Sequence, residues 1–278
     1  MKKTTYIIIG MLVGTVCLIF GGIALLSALG HERGGFPTLV MKEREKTLQL
    51  PACKYISVKK TGVEYVKVKP GLREVKNDFA FIDMPFILTD TAETCPVLTI
   101  DAGLEQMMEM VMHGDTLNLE FSISQDMWPE ESRGNHFLGI YSLPMKLSLP
   151  EDVALIKMGI DVQRVEVERM ERKSLQLDFP GKYVNVSDCC FDTLRVENVR
   201  KVDFTKGRAD NLYVNCDRVN SWWVHPEFQV DTEYLSGSGI TNNQLHSNEC
   251  RRVIWTPTGE NAKMNVEISC PVEILVKE

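Results

Sequence analysis

The sequence predicts an all-β protein whose C-terminal half is a β-solenoid, carried behind one N-terminal transmembrane helix. The first observation is a pair of apolar residues, two positions apart, that recurs seven times between Val165 and Val224. This spacing puts both side chains on one face of a strand, because successive strand residues point to opposite sides. The second observation is an uncharged run from Thr5 to Leu29. The pairs are Val165/Val167, Leu175/Leu177, Val184/Val186, Leu194/Val196, Val202/Phe204, Leu212/Val214 and Trp222/Val224.

The spacing of these pairs is compatible with two architectures. Successive pairs begin 10, 9, 10, 8, 10 and 10 residues apart. Short strands at such intervals are typical of antiparallel β-sandwiches and barrels. Two strands per coil would instead form a solenoid with a repeat of about 19 or 20 residues. The near-constant spacing and the lack of Asn-Gly or Asp-Gly hairpin signals favour the solenoid, and the antiparallel β-sandwich is the alternative.

The N-terminal run predicts a membrane anchor. Its 25 residues contain no Asp, Glu, Lys or Arg, and a helix rising about 1.5 Å per residue would span more than the roughly 30 Å hydrocarbon core. The apolar stretch of a cleaved signal peptide is usually only about 7 to 15 residues long. We therefore expect a short tail at residues 1–4 and an uncleaved transmembrane helix or signal anchor at residues 5–29, which would embed Cys17 in the membrane.

The orientation of this anchor is the next question. Two lysines precede the run, and four basic residues follow it within 17 positions. By itself the positive-inside rule favours a cytoplasmic body, but long domains translocate largely regardless of charge. An all-β body without a nucleotide motif is typical of exported proteins. We therefore expect a single-pass protein of the inner (cytoplasmic) membrane with an extracytoplasmic C-terminal domain.

The remainder of the chain divides by the regularity of its strands. Residues 30–50 are polar and are predicted to form a stalk. Residues 51–150 carry longer, less regular apolar stretches, which predict an irregular β subdomain. Residues 151–278 contain the repeated pairs followed by closing strands and are predicted to be the solenoid. Ser236–Gly239, with the sequence Ser-Gly-Ser-Gly, interrupts the pattern before those closing strands.

Five features of this chain occur in one order: an early strand at Tyr55–Val58, a turn and strand at Gly114–Leu119, the Met145–Pro150 segment, the repeated pairs, and Leu235–Ile240. Together they resemble the autotransporter adhesin "head GIN domain" family of bacterial envelope proteins over most of residues 50–278. That family repeats Ser-Gly-Ser-Gly at several coils, whereas this chain has it once. The resemblance implies a right-handed β-solenoid outside the inner membrane, with no established catalytic residues to carry over.

Polar side chains between the apolar pairs form the candidate binding surface. If alternate strands stack, Glu166, Asn185, Asp203 and Trp223 form one exposed column. Gln176, Arg195 and Tyr213 form a second. A carboxylate beside amides and an aromatic ring suits a sugar, whose apolar face packs on the ring while its hydroxyls bind the polar groups. A solvated sheet face has the same composition. We expect an envelope protein or a glycan as the partner.

An enzyme on the same scaffold is the alternative function. A polysaccharide lyase needs acidic and basic groups beside a uronate to remove a proton, and Lys201, Arg195 and Asp203 are the candidates. No nucleophile–base order and no Gly-rich phosphate loop is recognisable. We therefore predict a non-enzymatic protein without catalytic residues, metal or cofactor. The net charge of −7 also argues against nucleic acid, because no basic face is available to displace counterions.

Sulfur-containing residues are the last candidates for chemistry. The cysteines beyond the anchor lack Cys-x-x-Cys spacing, so we expect buried thiols, with one or two disulfides as the alternative. Met108, Met110 and Met112 share one strand face, beside Met107, and could bind Cu(I). Core packing explains the same stripe and is favoured. The cysteines are Cys53, Cys95, Cys189, Cys190, Cys216, Cys250 and Cys270.

Overall fold

The computed structural model describes residues 37–41, 44–69, 72–130, 137–245, 250–268 and 271–277. Residues 38–278 form one compact unit, whereas the tail and anchor predicted at residues 1–29 lie outside the described residues. Over the ranges that are described, no helix combines the length and the hydropathy that a membrane crossing requires.

The unit is built almost entirely from strands, which confirms the prediction of an all-β protein. Two short 3-10 helices, Ala102–Met107 and Gln125–Met127, interrupt them. The strands before residue 150 are β1 (Thr38–Val40), β2 (Glu45–Gln49), β3 (Tyr55–Lys60), β4 (Glu64–Lys69), β5 (Leu72–Lys76), β6 (Asp78–Phe81), β7 (Pro85–Asp90), β8 (Val97–Asp101), β9 (Met108–His113), β10 (Thr116–Phe121), β11 (Phe137–Tyr141) and β12 (Met145–Leu149).

The strands of the repeated region and the C-terminal end follow. They are β13 (Leu155–Met158), β14 (Arg164–Glu168), β15 (Glu171–Asp178), β16 (Tyr183–Glu197), β17 (Lys201–Asn215), β18 (Ser221–Val224), β19 (Phe228–Gly237), β20 (Ile240–Leu245), β21 (Cys250–Pro257), β22 (Lys263–Ile268) and β23 (Glu273–Val276).

The strands of the repeated region pair in parallel, each with strands about one coil away. β14, the first part of β16, the first part of β17 and β18 form one stack, in which Val165 pairs with Val184, Val184 with Val202 and Val202 with Trp222. β15 and the second parts of β16 and β17 form another, which continues into β19, β21 and β23. This parallel pairing differs from the antiparallel pairing of the sandwich alternative. It also places alternate apolar pairs in the same stack, as expected.

A glycine permits the bend between the two parts of β17. Gly207 has a φ of 132°, a region that only glycine enters freely. A Cβ built on it would lie 2.0 Å from the backbone oxygen of Cys189 on β16. The register shifts at the same place, between Val186 and Cys189. The two parts of the long strands therefore belong to different stacks, because the backbones approach closely at the bend.

The predicted apolar pairs form the interior of these coils. The six pairs from Val165/Val167 to Leu212/Val214 are all buried, whereas Trp222 and Val224 are half-buried. Burying a side chain of this size contributes about 1.5 to 3 kcal/mol relative to leaving it exposed. The core is continuous with that of the first half of the chain, so the repeated region does not have a separate interior.

Strands from both halves of the chain share one sheet. β3 pairs in parallel with β13 and with β10, and β7 pairs in parallel with β14 and with β12. Antiparallel partners lie at its margins, where β9 pairs with β10 and β2 with β8. Two segments of the stretch predicted as a stalk are also strands, because β1 pairs with β11 and β2 with β8. Apolar residues such as the buried Leu50 explain why this stretch joins the body.

A cluster of charged side chains ties β3 to two loops. Lys60 Nζ donates to Asp161 Oδ2 at 2.7 Å and also contacts Asp78, while Lys182 Nζ donates to Asp161 Oδ1 at 2.7 Å. Burial would by itself raise the pKa of Asp161, but the hydrogen bonds from Lys182 and Lys60 outweigh it and lower that pKa. The Asp161 carboxylate therefore bridges two ammonium groups, and its ionised form is favoured.

We expect Leu194→Ala to lower the free energy of unfolding by about 2 to 5 kcal/mol, because the substitution leaves a cavity in the core. Leu194 is 0 % exposed. The matched control is Asp192→Ala on the same strand, an exposed position where a change within about 0.5 kcal/mol is expected. Urea denaturation measures both values. Equal values for the two variants would contradict the buried position of the ladder.

We expect Asp161→Asn to destabilise the protein at pH 7 and to have little effect in acid. A carboxylate with a lowered pKa contributes stability above its unfolded pKa of about 3.9, and this contribution is lost as pH falls through the folded pKa. The wild type and the variant should therefore converge below that range. Urea midpoints at pH 7 and in acid provide the measurement, with Asp192→Asn as control. A difference that persisted in acid would rule out the ion-pair explanation.

Candidate functional site

The strand register brings four of the predicted site residues into one row, which we call column one. Glu166 on β14 pairs with Asn185 on β16, Asn185 pairs with Asp203 on β17, and Asp203 pairs with Trp223 on β18. The row crosses the strands at right angles to the chain direction. Its side chains lie on the face opposite the buried valines because strand residues alternate.

Within column one, Glu166 is held by its neighbours. Its side chain is only 9 % exposed. Arg164 Nε lies 2.5 Å from Oε1, and Asn185 Nδ2 donates to Oε2 at 2.8 Å. Thr205 Oγ1 in turn donates to Asn185 Oδ1 at 3.2 Å. Both carboxylate oxygens of Glu166 are thus engaged, so this residue is better suited to ordering the row than to exchanging protons with a substrate.

Asp203 and Trp223 form the more open end of column one. Lys201 Nζ donates to Asp203 Oδ2 at 2.8 Å, and Trp223 is 40 % exposed. The Trp223 ring meets His225 edge to face, with centroids 6.1 Å apart. A groove of about 360 Å³ runs beside the row, lined by Asp203, Lys201 and His225 among others. A carboxylate, an ammonium, an imidazole and an indole therefore lie close together on one accessible surface.

The second predicted row, column two, continues further than the sequence indicated. Gln176 pairs with Arg195, Arg195 with Tyr213, and Tyr213 with Tyr234 on β19. The two tyrosine rings are stacked with centroids 4.3 Å apart and an angle of 5° between their planes. Tyr234 was missed because the sequence pattern was followed only to Val224. Its position 21 residues after Tyr213, close to one coil, is the signal that would have found it.

Two cations bracket this tyrosine pair. The guanidinium carbon of Arg195 lies 3.9 Å from the centroid of the Tyr213 ring, and Lys277 Nζ lies 5.8 Å from that of Tyr234. Because β16 and β19 flank β17 on opposite sides, both faces of Tyr213 are covered. The expected use of an aromatic ring as a platform for a sugar therefore does not apply to Tyr213. Cation–π contacts of this kind stabilise exposed sites by about 0.5 to 1 kcal/mol each.

A second groove, of about 320 Å³, follows column two. Besides the residues of the stack, it is lined by a row of hydrogen-bonding side chains one step further along each strand. In that row, Asn215 pairs with Ser236 and Ser236 with Thr256. Glu197 occupies the corresponding position on β16. These side chains offer hydroxyl, amide and carboxylate groups along the whole length of the stack.

The residues considered for lyase chemistry are divided between the two grooves. Lys201 and Asp203 line the groove of column one, whereas Arg195 lines that of column two. Lys201 is also paired with Asp203. Within the ranges that the structure describes, no group of three or more His, Cys, Asp or Glu residues is placed to hold a metal ion.

The sulfur-containing residues differ in their exposure. Cys189 is buried and Cys190 is exposed, in agreement with the opposite faces predicted for them. Burial raises the pKa of the Cys189 thiol to about 12, which suits an inert core residue. Met110 and Met112 are 46 % and 39 % exposed, so the preference for core packing was wrong for these two residues. They lie on β9, where strand pairing ends at the margin of the sheet.

Comparisons with known proteins place this chain in no established group. No protein family and no curated protein matches its sequence. Among solved structures, a candidate adhesin from Bacteroides fragilis is similar with a TM-score of 0.43 and 10 % identity, over 86 % of this chain and 99 % of the other. A candidate lipid-binding protein from Parabacteroides distasonis has a TM-score of 0.37 and 8 % identity, over 87 % and 100 %. At these scores, the similarities assign neither fold nor function.

We expect Asn185→Asp to destabilise the protein more at pH 8 than at pH 5. The new carboxylate would face Glu166 across adjacent strands, and like charges opposite one another are unfavourable. At lower pH such a pair shares one proton, which relieves the repulsion. Urea midpoints of the two proteins at both pH values provide the test. Asn185→Ala removes the same hydrogen bond without adding charge, so its effect should not change with pH; the same pH response in both variants would contradict the explanation.

Proposed function

We propose that this chain is a non-enzymatic, membrane-anchored protein of the cell envelope that presents a rigid β surface to a protein or glycan partner. In this proposal the parallel coils form a right-handed β-solenoid, residues 5–29 anchor it in the inner membrane, and the body is extracytoplasmic. The observation that carries the proposal is the pair of accessible columns, in which polar and aromatic side chains repeat in register across adjacent parallel strands.

The rigidity of these columns supports a role in binding. Each column residue is fixed by strand pairing on both sides, and several are further held by side-chain contacts such as that between Asn185 and Glu166. A surface ordered before the ligand arrives loses less conformational entropy on binding. The combination of carboxylate, amide, hydroxyl and aromatic groups suits a ligand with many hydroxyls.

The same contacts argue against catalysis. A general acid or base must exchange a proton with the substrate within hydrogen-bonding distance. Both oxygens of Glu166 are occupied by Arg164 and Asn185, and Asp203 is paired with Lys201. Arg195 stacks on Tyr213 in the other groove. These residues are engaged in holding the surface together, which supports binding without turnover.

The test uses the full-length chain, purified in mild detergent, and a panel of immobilised neutral and acidic polysaccharides. We expect retention of the wild type on at least one polysaccharide and no release of unsaturated sugars. Trp223→Ala in column one, or Tyr234→Ala in column two, should weaken retention severalfold, whereas the exposed control Asp192→Ala should not. Thermal denaturation verifies that each variant is folded.

Two outcomes would overturn the proposal. Release of unsaturated uronic acids by the wild type would favour the lyase alternative. Retention that none of the column variants changes would place the binding surface elsewhere. The compartment is tested separately by adding protease to spheroplasts: we expect residues 38–278 to be digested from outside, and protection of this unit in intact spheroplasts would exclude an extracytoplasmic body.

A further inference from the structure

The groove of column two has a distribution of charge that column one lacks. Arg195 and Lys277 lie at the two ends of the stacked pair Tyr213 and Tyr234. Both cations are exposed, and within the described ranges neither lies within salt-bridge distance of a carboxylate. In column one, by contrast, Arg164 contacts Glu166 and Lys201 contacts Asp203. The groove of column two therefore presents positive charge that its neighbours do not neutralise.

Stacking prepares Arg195 to bind an anion. The guanidinium lies over the Tyr213 ring, with its carbon 3.9 Å from the centroid, so its plane is held while its N–H groups remain at the edges. Arginine binds carboxylates through this edge, often with two parallel hydrogen bonds. Lys277 is positioned by the backbone, because its amide donates to the oxygen of Trp255 at 2.8 Å. Both cations are thus ordered before a ligand is present.

The other groups of the groove are suited to hydroxyls. Asn215, Ser236 and Thr256 follow the stack in a parallel row and can donate or accept hydrogen bonds. Glu197, at one end of this row, would repel a ligand carboxylate and accept hydrogen bonds from hydroxyls. A ligand with one carboxylate and several hydroxyls would therefore direct its charge toward the cations and its hydroxyls toward the row.

A sugar fits this groove better than a peptide does. Peptides commonly add as a strand to a free sheet edge, but β16, β17 and β19 are each paired on both sides along this row. Recognition must then come from side chains alone. The faces of Tyr213 are covered by Arg195 and Tyr234, so stacking on that ring is not open to a neutral sugar. Charge is the remaining source of selectivity.

We propose that the groove of column two binds a glycan that carries carboxylated sugars, with the carboxylate held by Arg195 and Lys277. This inference rests on the proposed function and specifies the ligand class of one of its two surfaces. Arg195 and Lys277 supply the affinity for the carboxylate, and the row from Glu197 to Thr256 positions the sugar hydroxyls. Because the contacts lie at an accessible surface, binding weakens as salt is raised.

The experiment compares matched ligands that differ only in the carboxylate. The probes are pectate, alginate and hyaluronate, each beside its carboxyl-reduced form, with the full-length chain in detergent as the protein. We expect at least one acidic polymer to bind about tenfold or more tightly than its reduced form, since a tenfold change corresponds to about 1.4 kcal/mol, within the range of a hydrogen bond to a charged group. Arg195→Gln and Lys277→Gln should each remove most of this preference.

Arg200→Gln is the matched control. Arg200 also lies over a tyrosine, with its guanidinium carbon 5.0 Å from the centroid of Tyr183, but it does not line the groove of column two. It removes the same net charge, so a general electrostatic attraction would be reduced equally in all three variants. Equal losses would therefore overturn the proposal. Because the Gln variants at positions 195 and 277 alter different contacts, failure of one to fold leaves the other as a test.

The remaining outcomes separate this inference from the proposed function. Equal binding of acidic and reduced polymers would overturn the carboxylate assignment while leaving a glycan-binding surface in place. Binding of poly-glutamate as tightly as the best acidic polymer would overturn the assignment to a sugar and favour an acidic protein partner. Binding of no acidic polymer, together with retention on a neutral one, would contradict only the inference. Retention on no polymer at all would count against both the inference and a glycan ligand.

Discussion

Parallel pairing between successive coils is the interaction on which the structure depends. A two-residue apolar pair is too small to be buried within its own strand, so each pair is shielded only by the pairs of the coils beside it. Val184 lies between Val165 and Val202 in one stack, and Leu194 lies between Leu175 and Leu212 in the other. The stability of any one coil therefore depends on its neighbours, as in other stacked architectures.

The same register that stacks the valines and leucines also orders the outer face. When the interior residue of each strand is fixed, its neighbour on the outer face is fixed as well, because side chains alternate along a strand. The result in column two is the alignment of Arg195, Tyr213 and Tyr234 in contact with one another. In column one it is the bond between Asn185 and Glu166. The recognition surface is in this sense a consequence of the core.

The predictable part of the site was its set of rows. A period of two along the strand and a period near one coil along the chain were enough to place Glu166, Asn185, Asp203 and Trp223 together. Two contributors to column two did not follow from that pattern. Tyr234 lies beyond the last apolar pair, in a strand where the charged Glu233 occupies the interior position paired with Leu212. Lys277 reaches its place from the end of β23, across an intervening strand.

The sequence by itself determined which residues are interior and which are exposed in the repeated region, because alternation within a strand is a local property of the backbone. It also determined that the chain is all-β. Only the tertiary structure decided how the faces are used: it showed that the rings of Tyr213 are covered, that Glu166 is saturated by hydrogen bonds, and that residues 38–49 belong to the body. These outcomes depend on which distant segments come into contact, and such contacts leave no periodic signal in the chain.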